Sequence, residues 1–170
     1  MKSSKKMALC GVSAAMGSIF LSVVTVAPTN KLTLFALASV AVMIPLSQRI
    51  YGGAVLTMLA IAAIGFIAGG LIVFLPYILL FGAHPLINAL LGRFLPWGRK
   101  GVIIGLVIKL TYFNAALYLI YSLAYIMELF AVQVEFYLLA LIVSLIFIPY
   151  DFLIIALQKR FESLISRLIK

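Results

Sequence analysis

Apolar runs of about 20 residues recur along this chain, a length that crosses roughly 30 Å of hydrocarbon. The charges collect almost only where a run ends. Six spans are predicted, at about Met7–Ala27, Leu32–Ser47, Gly52–Phe74, Tyr77–Leu91, Val102–Leu129 and Phe136–Leu157. The predicted fold class is an all-α membrane protein, six transmembrane helices in one polytopic domain covering 1–170. Pro76 marks the expected break between spans three and four, with Gly69–Gly70 as the alternative turn. The fourth span is short and interrupted by the Gly82–Pro85 stretch. Beyond the sixth span, Leu157, Phe161, Leu164 and Leu168 recur at helical spacing opposite Lys159, Arg160, Ser163 and Arg167. That amphipathic C-terminal helix end suits the headgroup layer or a partner surface.

Composition sharpens this picture. Apolar residues make up 66% of the chain and charged residues 10%, which leaves no charged face for a soluble domain of this size. The net charge of +9 raises nucleic acid as a partner. The basic residues form no face or stripe and lie at segment ends, as topology determinants do, so that partner is excluded. With the N-terminus inside, Lys2, Lys5, Lys6, Arg49, Arg93, Arg99, Lys100, Lys159, Arg160, Arg167 and Lys170 are all inside. Lys31 alone is outside, and Lys109 lies within a span. An even number of spans then puts both termini in the cytoplasm, in a multi-pass protein of the plasma membrane. The first apolar run follows Lys5 and Lys6 as a signal peptide would. It is long for a signal core and further spans follow, so it reads as a retained first helix.

Several chemistries are excluded. One cysteine, Cys10, and one histidine, His84, rule out an internal disulfide framework, a multi-cysteine metal site and paired-histidine metal sites. HExxH, GxSxG, a Walker A loop and GxGxxG are all missing from the sequence. No metal or cofactor is expected, and there is too little acid–base machinery to favour an enzyme. Uphill transport, if any, must draw energy from a partner or an ion gradient.

The candidate functional residues are those that lipid makes expensive. Lys109 and Asp151 each lie roughly 12 Å from the inner edge of antiparallel neighbouring spans, which makes an intramembrane ion pair reasonable. The pair either fixes helix register or serves a ligand or proton directly; an alternative for Lys109 is snorkelling inward. Thr111, Asn114, Tyr118, Tyr121 and Tyr125 share one helix face of span five, flanked by Ser122. Such a face should point into the bundle. It either contacts a small organic ligand or packs against neighbours and forms an aromatic interface belt. His84 and Asn88 sit on the interrupted span and are candidate solute contacts, Asn88 also an interhelical hydrogen bond. Gly11, Ala15, Ser18 and Ser22 form a small-residue stripe on span one, with Ala8 and Ala14 beside it, that packs within the bundle or docks another subunit. Glu128 and Glu135 are read as solvated in the outer loop.

A short six-span chain with a small-residue first helix and no ATPase motif resembles the S component of energy-coupling factor (ECF) transporters. The first-helix stretch is Ala8-Leu-Cys-Gly-Val-Ser-Ala-Ala15, with its small residues displaced from a strict AxxxA. Phe81-Gly-Ala-His-Pro-Leu-Ile-Asn88 and Ile108-Lys-Leu-Thr-Tyr-Phe-Asn114 are similar to FFGxxPxxK and KLxxFN in S-component-like proteins of Gram-positive bacteria, with Asn88 in place of lysine. The resemblance implies capture of a vitamin or other small-molecule solute from outside, between the outer parts of spans four to six and the first outer loop. It implies partner ATPase subunits and a transmembrane coupling subunit docked on the first helix. A membrane scaffold and an independent carrier are the competing readings.

Overall fold

The structure, a computed structural model, describes residues 3–27, 29–95, 98–126 and 135–168, without the side chains at 3, 99, 162 and 164–168. Every element among these residues is helical. The helices are α1 (Ser3–Val26), α2 (Lys31–Ser47), α3 (Tyr51–Gly69), α4 (Leu71–Phe94), α5 (Arg99–Ile126) and α6 (Phe136–Leu168). Five of them are long and apolar enough to cross a membrane; α2, at 17 residues, is shorter. The chain is therefore an all-α protein of membrane type. Pro28, Pro96, Trp97, Glu128 and the expected outer loop lie at or within residues outside the described set, as do the side chains of Leu164, Arg167 and Leu168.

Short connections make successive helices run in opposite directions. Arg49, Arg93, Lys100, Lys159, Lys5 and Lys6 consequently share one end of the bundle, and Lys31 starts α2 at the other. Asn30 adopts the left-handed conformation just before α2, with φ of 65°. The three N-terminal helices pack most closely. Their core holds Leu21, Val24, Phe35, Ala38, Val42 and Ile61. Close approach depends on Gly17 and Gly65: a Cβ at Gly17 would collide with Ile61, and one at Gly65 with Leu21.

The packed face of α1 is Ser13, Gly17, Leu21 and Val24, all buried. Of the small-residue stripe expected from sequence, Ser18 is buried, whereas Ala8, Gly11 and Ala15 face away from the bundle. A Cβ at Gly11 would meet nothing within 4 Å.

The connection between the third and fourth helices corrects the expectation. The turn falls at Gly70, with φ of 65°, and not at Pro76. Left-handed backbone favours glycine there, while Pro76 sits early in α4. Nor is α4 broken at Gly82–Pro85. It continues to Phe94 through a wider π-helical turn at Tyr77–Gly82. Pro85 donates no amide hydrogen and would crowd the carbonyl four residues back in an ordinary helix; the wider turn relieves that conflict. Tyr112 Oη from α5 donates to the Leu79 carbonyl within this turn at 2.9 Å. The turn thus keeps α4 intact and aims His84 at α6.

A second core joins α4, α5 and α6 through Leu80, Phe113, Ala116 and Phe147. Phe81 links the two cores, stacked on Phe35 at 5.3 Å and edge-on to Tyr150 at 5.7 Å.

Candidate functional site

Three ionisable side chains meet where α4, α5 and α6 converge. Lys109 Nζ donates to Asp151 Oδ1 at 2.6 Å and also to Oδ2. His84 Nε2 lies 2.9 Å from Asp151 Oδ1. An imidazole carrying its hydrogen on Nε2 donates to the carboxylate and completes its ring of donors. All three are closed off, with 3% of His84, 4% of Lys109 and 2% of Asp151 exposed. A lone charge so buried would be very costly; a lysine against a carboxylate, with further hydrogen bonds, offsets much of that cost.

Aromatic rings wall this junction. His84 packs edge-on to Phe147 at 5.4 Å and tilted against Tyr150 at 5.3 Å. Phe113 lies 4.3 Å from Phe147. Tyr150 Oη reaches Ser39 Oγ on α2 at 3.4 Å, tying the junction to the N-terminal helices.

From Lys109 the network extends toward the basic end. Lys109 Nζ donates to Asn88 Oδ1 at 3.4 Å, and Asn88 Nδ2 donates to Gln158 Oε1 at 3.0 Å. The spacing explains the convergence. His84 and Asn88 are four residues apart on α4, and Asp151 and Gln158 seven apart on α6, so each pair shares one helix face. Gln158 and Tyr150 are members of this network that sequence reasoning missed. Gln158 has a legible signal in its seven-residue offset from Asp151; Tyr150 has none beyond its adjacency.

Two cavities open below the network. One, of about 670 Å³, is lined by Arg49 and Tyr51 from the α2–α3 turn, Asn88 and Arg93 from α4, and Gln158 and Lys159 from α6. The second, of about 230 Å³, runs between α4, α5 and α6, with Lys109 and Asp151 among its lining. Gly98, Gly101, Gly105 and Leu106 form its α5 side, and Asn88, Gly92, Ile155 and Lys159 border both cavities.

The polar face of α5 is distributed differently from the expectation. Asn114 Nδ2 donates to Leu110 O at 2.9 Å and to Ser144 Oγ of α6 at 3.1 Å. Thr111 donates back to the Val107 carbonyl at 3.0 Å. Tyr118 and Tyr125 do not point into the bundle: they are 58% and 60% exposed. The Tyr118 and Tyr121 rings pack on Phe136 at 5.2 and 5.4 Å. With Ser122, the three tyrosines line a shallow recess at the end opposite the basic cluster. The reason is geometric. Near the end of α5, α6 offers Phe136 to the Tyr118 and Tyr121 rings, which leaves Tyr118 and Tyr125 largely exposed, and Thr111 at the start of the stripe is exposed as well. His84 and Asn88 therefore share a junction with Lys109 and Asp151, while the tyrosines stand apart from it.

Comparison with known protein families, with characterised proteins and with solved structures finds no match to this chain. Among the described residues no group of His, Cys, Asp and Glu could hold a metal ion.

Proposed function

We propose that this chain is a membrane-embedded solute-binding subunit of the S-component type, working with partner ATPase subunits and a transmembrane coupling subunit. One observation carries the reading. Part of the resemblance gathers around a single junction: Phe81 of α4 packs on the core that holds Phe113 of α5, and Lys109 of α5 shares the Asp151 carboxylate with His84 of α4, with a cavity lined by Lys109 and Asp151 reaching toward the basic end. A buried charged network bordering cavities is the arrangement expected where a membrane protein handles a polar solute. In this reading all six helices cross the plasma membrane, both termini are cytoplasmic, and the basic end faces inward. The outward face of α1, with Ala8, Gly11 and Ala15, is the docking surface for the coupling subunit, since small residues let a partner helix approach closely.

An independent carrier is the second reading. His84, Asp151 and Lys109 form a chain of titratable groups at membrane depth, as proton-coupled carriers require. Gentle detergent purification from the native host, followed by mass spectrometry of everything retained, separates the two. The subunit reading expects ATPase subunits and a coupling subunit in stoichiometric amounts. A solitary protein, under conditions that keep a control transporter complex intact, would contradict it.

A further inference from the structure

The basic end of the bundle holds cationic side chains to which the transport reading gives no ligand. Arg49, Arg93 and Lys159 line the larger cavity, and among the described residues no carboxylate does. Among the described residues none of the three takes part in an ion pair. The floor is neutral and fixed, because Asn88 and Gln158 are bonded to each other and Asn88 accepts from Lys109. Three unpaired cations over a polar amide floor form a receptor for a compact anion.

Beside it, the smaller cavity has another chemistry. Leu91, Leu95, Val102, Leu106, Phe152 and Ile155 wall it, and Gly98, Gly101 and Gly105 keep its α5 side shallow. Val102 and Phe152 are exposed on the outer surface of the bundle, so the groove opens sideways toward acyl chains. Lys159 borders both cavities. A polar, cationic pocket at headgroup level joined to an apolar groove open to lipid matches a molecule that is anionic at one end and hydrocarbon at the other.

We infer that this two-part cleft binds a membrane lipid with a phosphate monoester headgroup: the phosphate lies among Arg49, Arg93 and Lys159, and a chain lies in the groove along α5. The inference goes beyond the transport reading and stands without it. The chemistry shared with a soluble phosphate ester is the phosphate; the groove is what favours the lipid. A bound phosphate would sit over the Asn88–Gln158 bond, one hydrogen bond away from the Lys109–Asp151 pair.

The test is native mass spectrometry of the full-length protein in detergent. It is titrated separately with dioleoyl phosphatidic acid, dioleoyl phosphatidylcholine and glycerol 3-phosphate. Phosphatidic acid is expected to remain bound at concentrations where phosphatidylcholine does not. The double variant Arg93→Gln/Lys159→Gln should weaken it about tenfold or more, given the attraction of each basic side chain near a membrane surface. Both residues are exposed, so folding should survive. The control Lys5→Gln/Lys6→Gln removes the same charge from the same end and should change binding less than about twofold, because those residues lie outside the cleft. Gly105→Leu should weaken binding about fivefold by filling the groove; its Cβ would meet only the flexible tip of Leu95, at 3.2 Å. Equal binding of the two lipids would overturn the inference. So would equal losses in both charge variants, which would mean bulk attraction only. Glycerol 3-phosphate competing on equal terms, or indifference to Gly105→Leu, would overturn the lipid assignment in favour of a soluble phosphate ester.

Discussion

Lys109 and Asp151 stand 42 positions apart in sequence, yet the lysine ammonium lies within 2.6 Å of both carboxylate oxygens, with both side chains almost wholly buried. The pair joins α5 to α6 at the depth where His84 of α4 also reaches the carboxylate. Three helices thus share one charged junction. Movement of α6 against α5 would have to separate opposite charges in surroundings of low polarity, where their attraction is strong, and movement against α4 would break the His84 hydrogen bond to the carboxylate.

His84 separates packing from hydrogen bonding. His84→Phe keeps a ring against Phe147 and Tyr150 but removes the donor to Asp151. The expected loss is about 1–3 kcal/mol, the range for leaving a buried acceptor short of a partner. Thermal unfolding in a fixed detergent reads it. His84→Gln, which can still donate, should recover part of the loss.

The first helix has two faces with opposite tolerances. Gly17→Val should destabilise by about 1–3 kcal/mol, because the new side chain would overpack the contact with Ile61 and Ala41. Gly11→Val meets open space, and its effect on unfolding should stay within about 0.5 kcal/mol. If the outward face docks a coupling subunit, Gly11→Val should nonetheless reduce the partner recovered on purification. Unchanged recovery would remove that face from the docking surface.

The tyrosines near the end of α5 should matter little to folding. Tyr118→Leu and Tyr125→Leu alter exposed rings, and each should shift stability by less than about 0.5 kcal/mol. Asn114→Leu should cost more, about 1–2 kcal/mol, since it strands the Ser144 hydroxyl that faces it. Equal losses at all three positions would mean that the stripe acts as one packed face.

The contrast along α5 shows what a sequence can convey. Periodicity places Asn114, Tyr118, Tyr121 and Tyr125 on one face, but it does not say how far a neighbouring helix covers that face. Depth arithmetic does better for Lys109 and Asp151, because antiparallel neighbours joined by a short connection bring equal depths together. His84 stands out in sequence by being the single histidine. Its role as second donor to Asp151 depends on the π-helical turn before Pro85, which rotates the rest of α4 in a way that no helical wheel registers. The turn at Gly70 was ambiguous for a physical reason: Gly69–Gly70 and Pro76 are both helix terminators, and a proline tolerated in the early turns of a helix looks the same in sequence as one that ends it.

A double-mutant cycle on Lys109 and Asp151 tests most directly that a buried ion pair organises the junction. Asp151→Leu, Lys109→Met and the double variant are compared with the unaltered protein by thermal unfolding in one detergent. Each single change is expected to cost about 3–5 kcal/mol by leaving a buried charge unpaired. The double variant should cost less than either single change, giving a coupling energy of at least about 3 kcal/mol. Losses that simply add, with the double variant as damaged as the sum of the singles, would contradict the account.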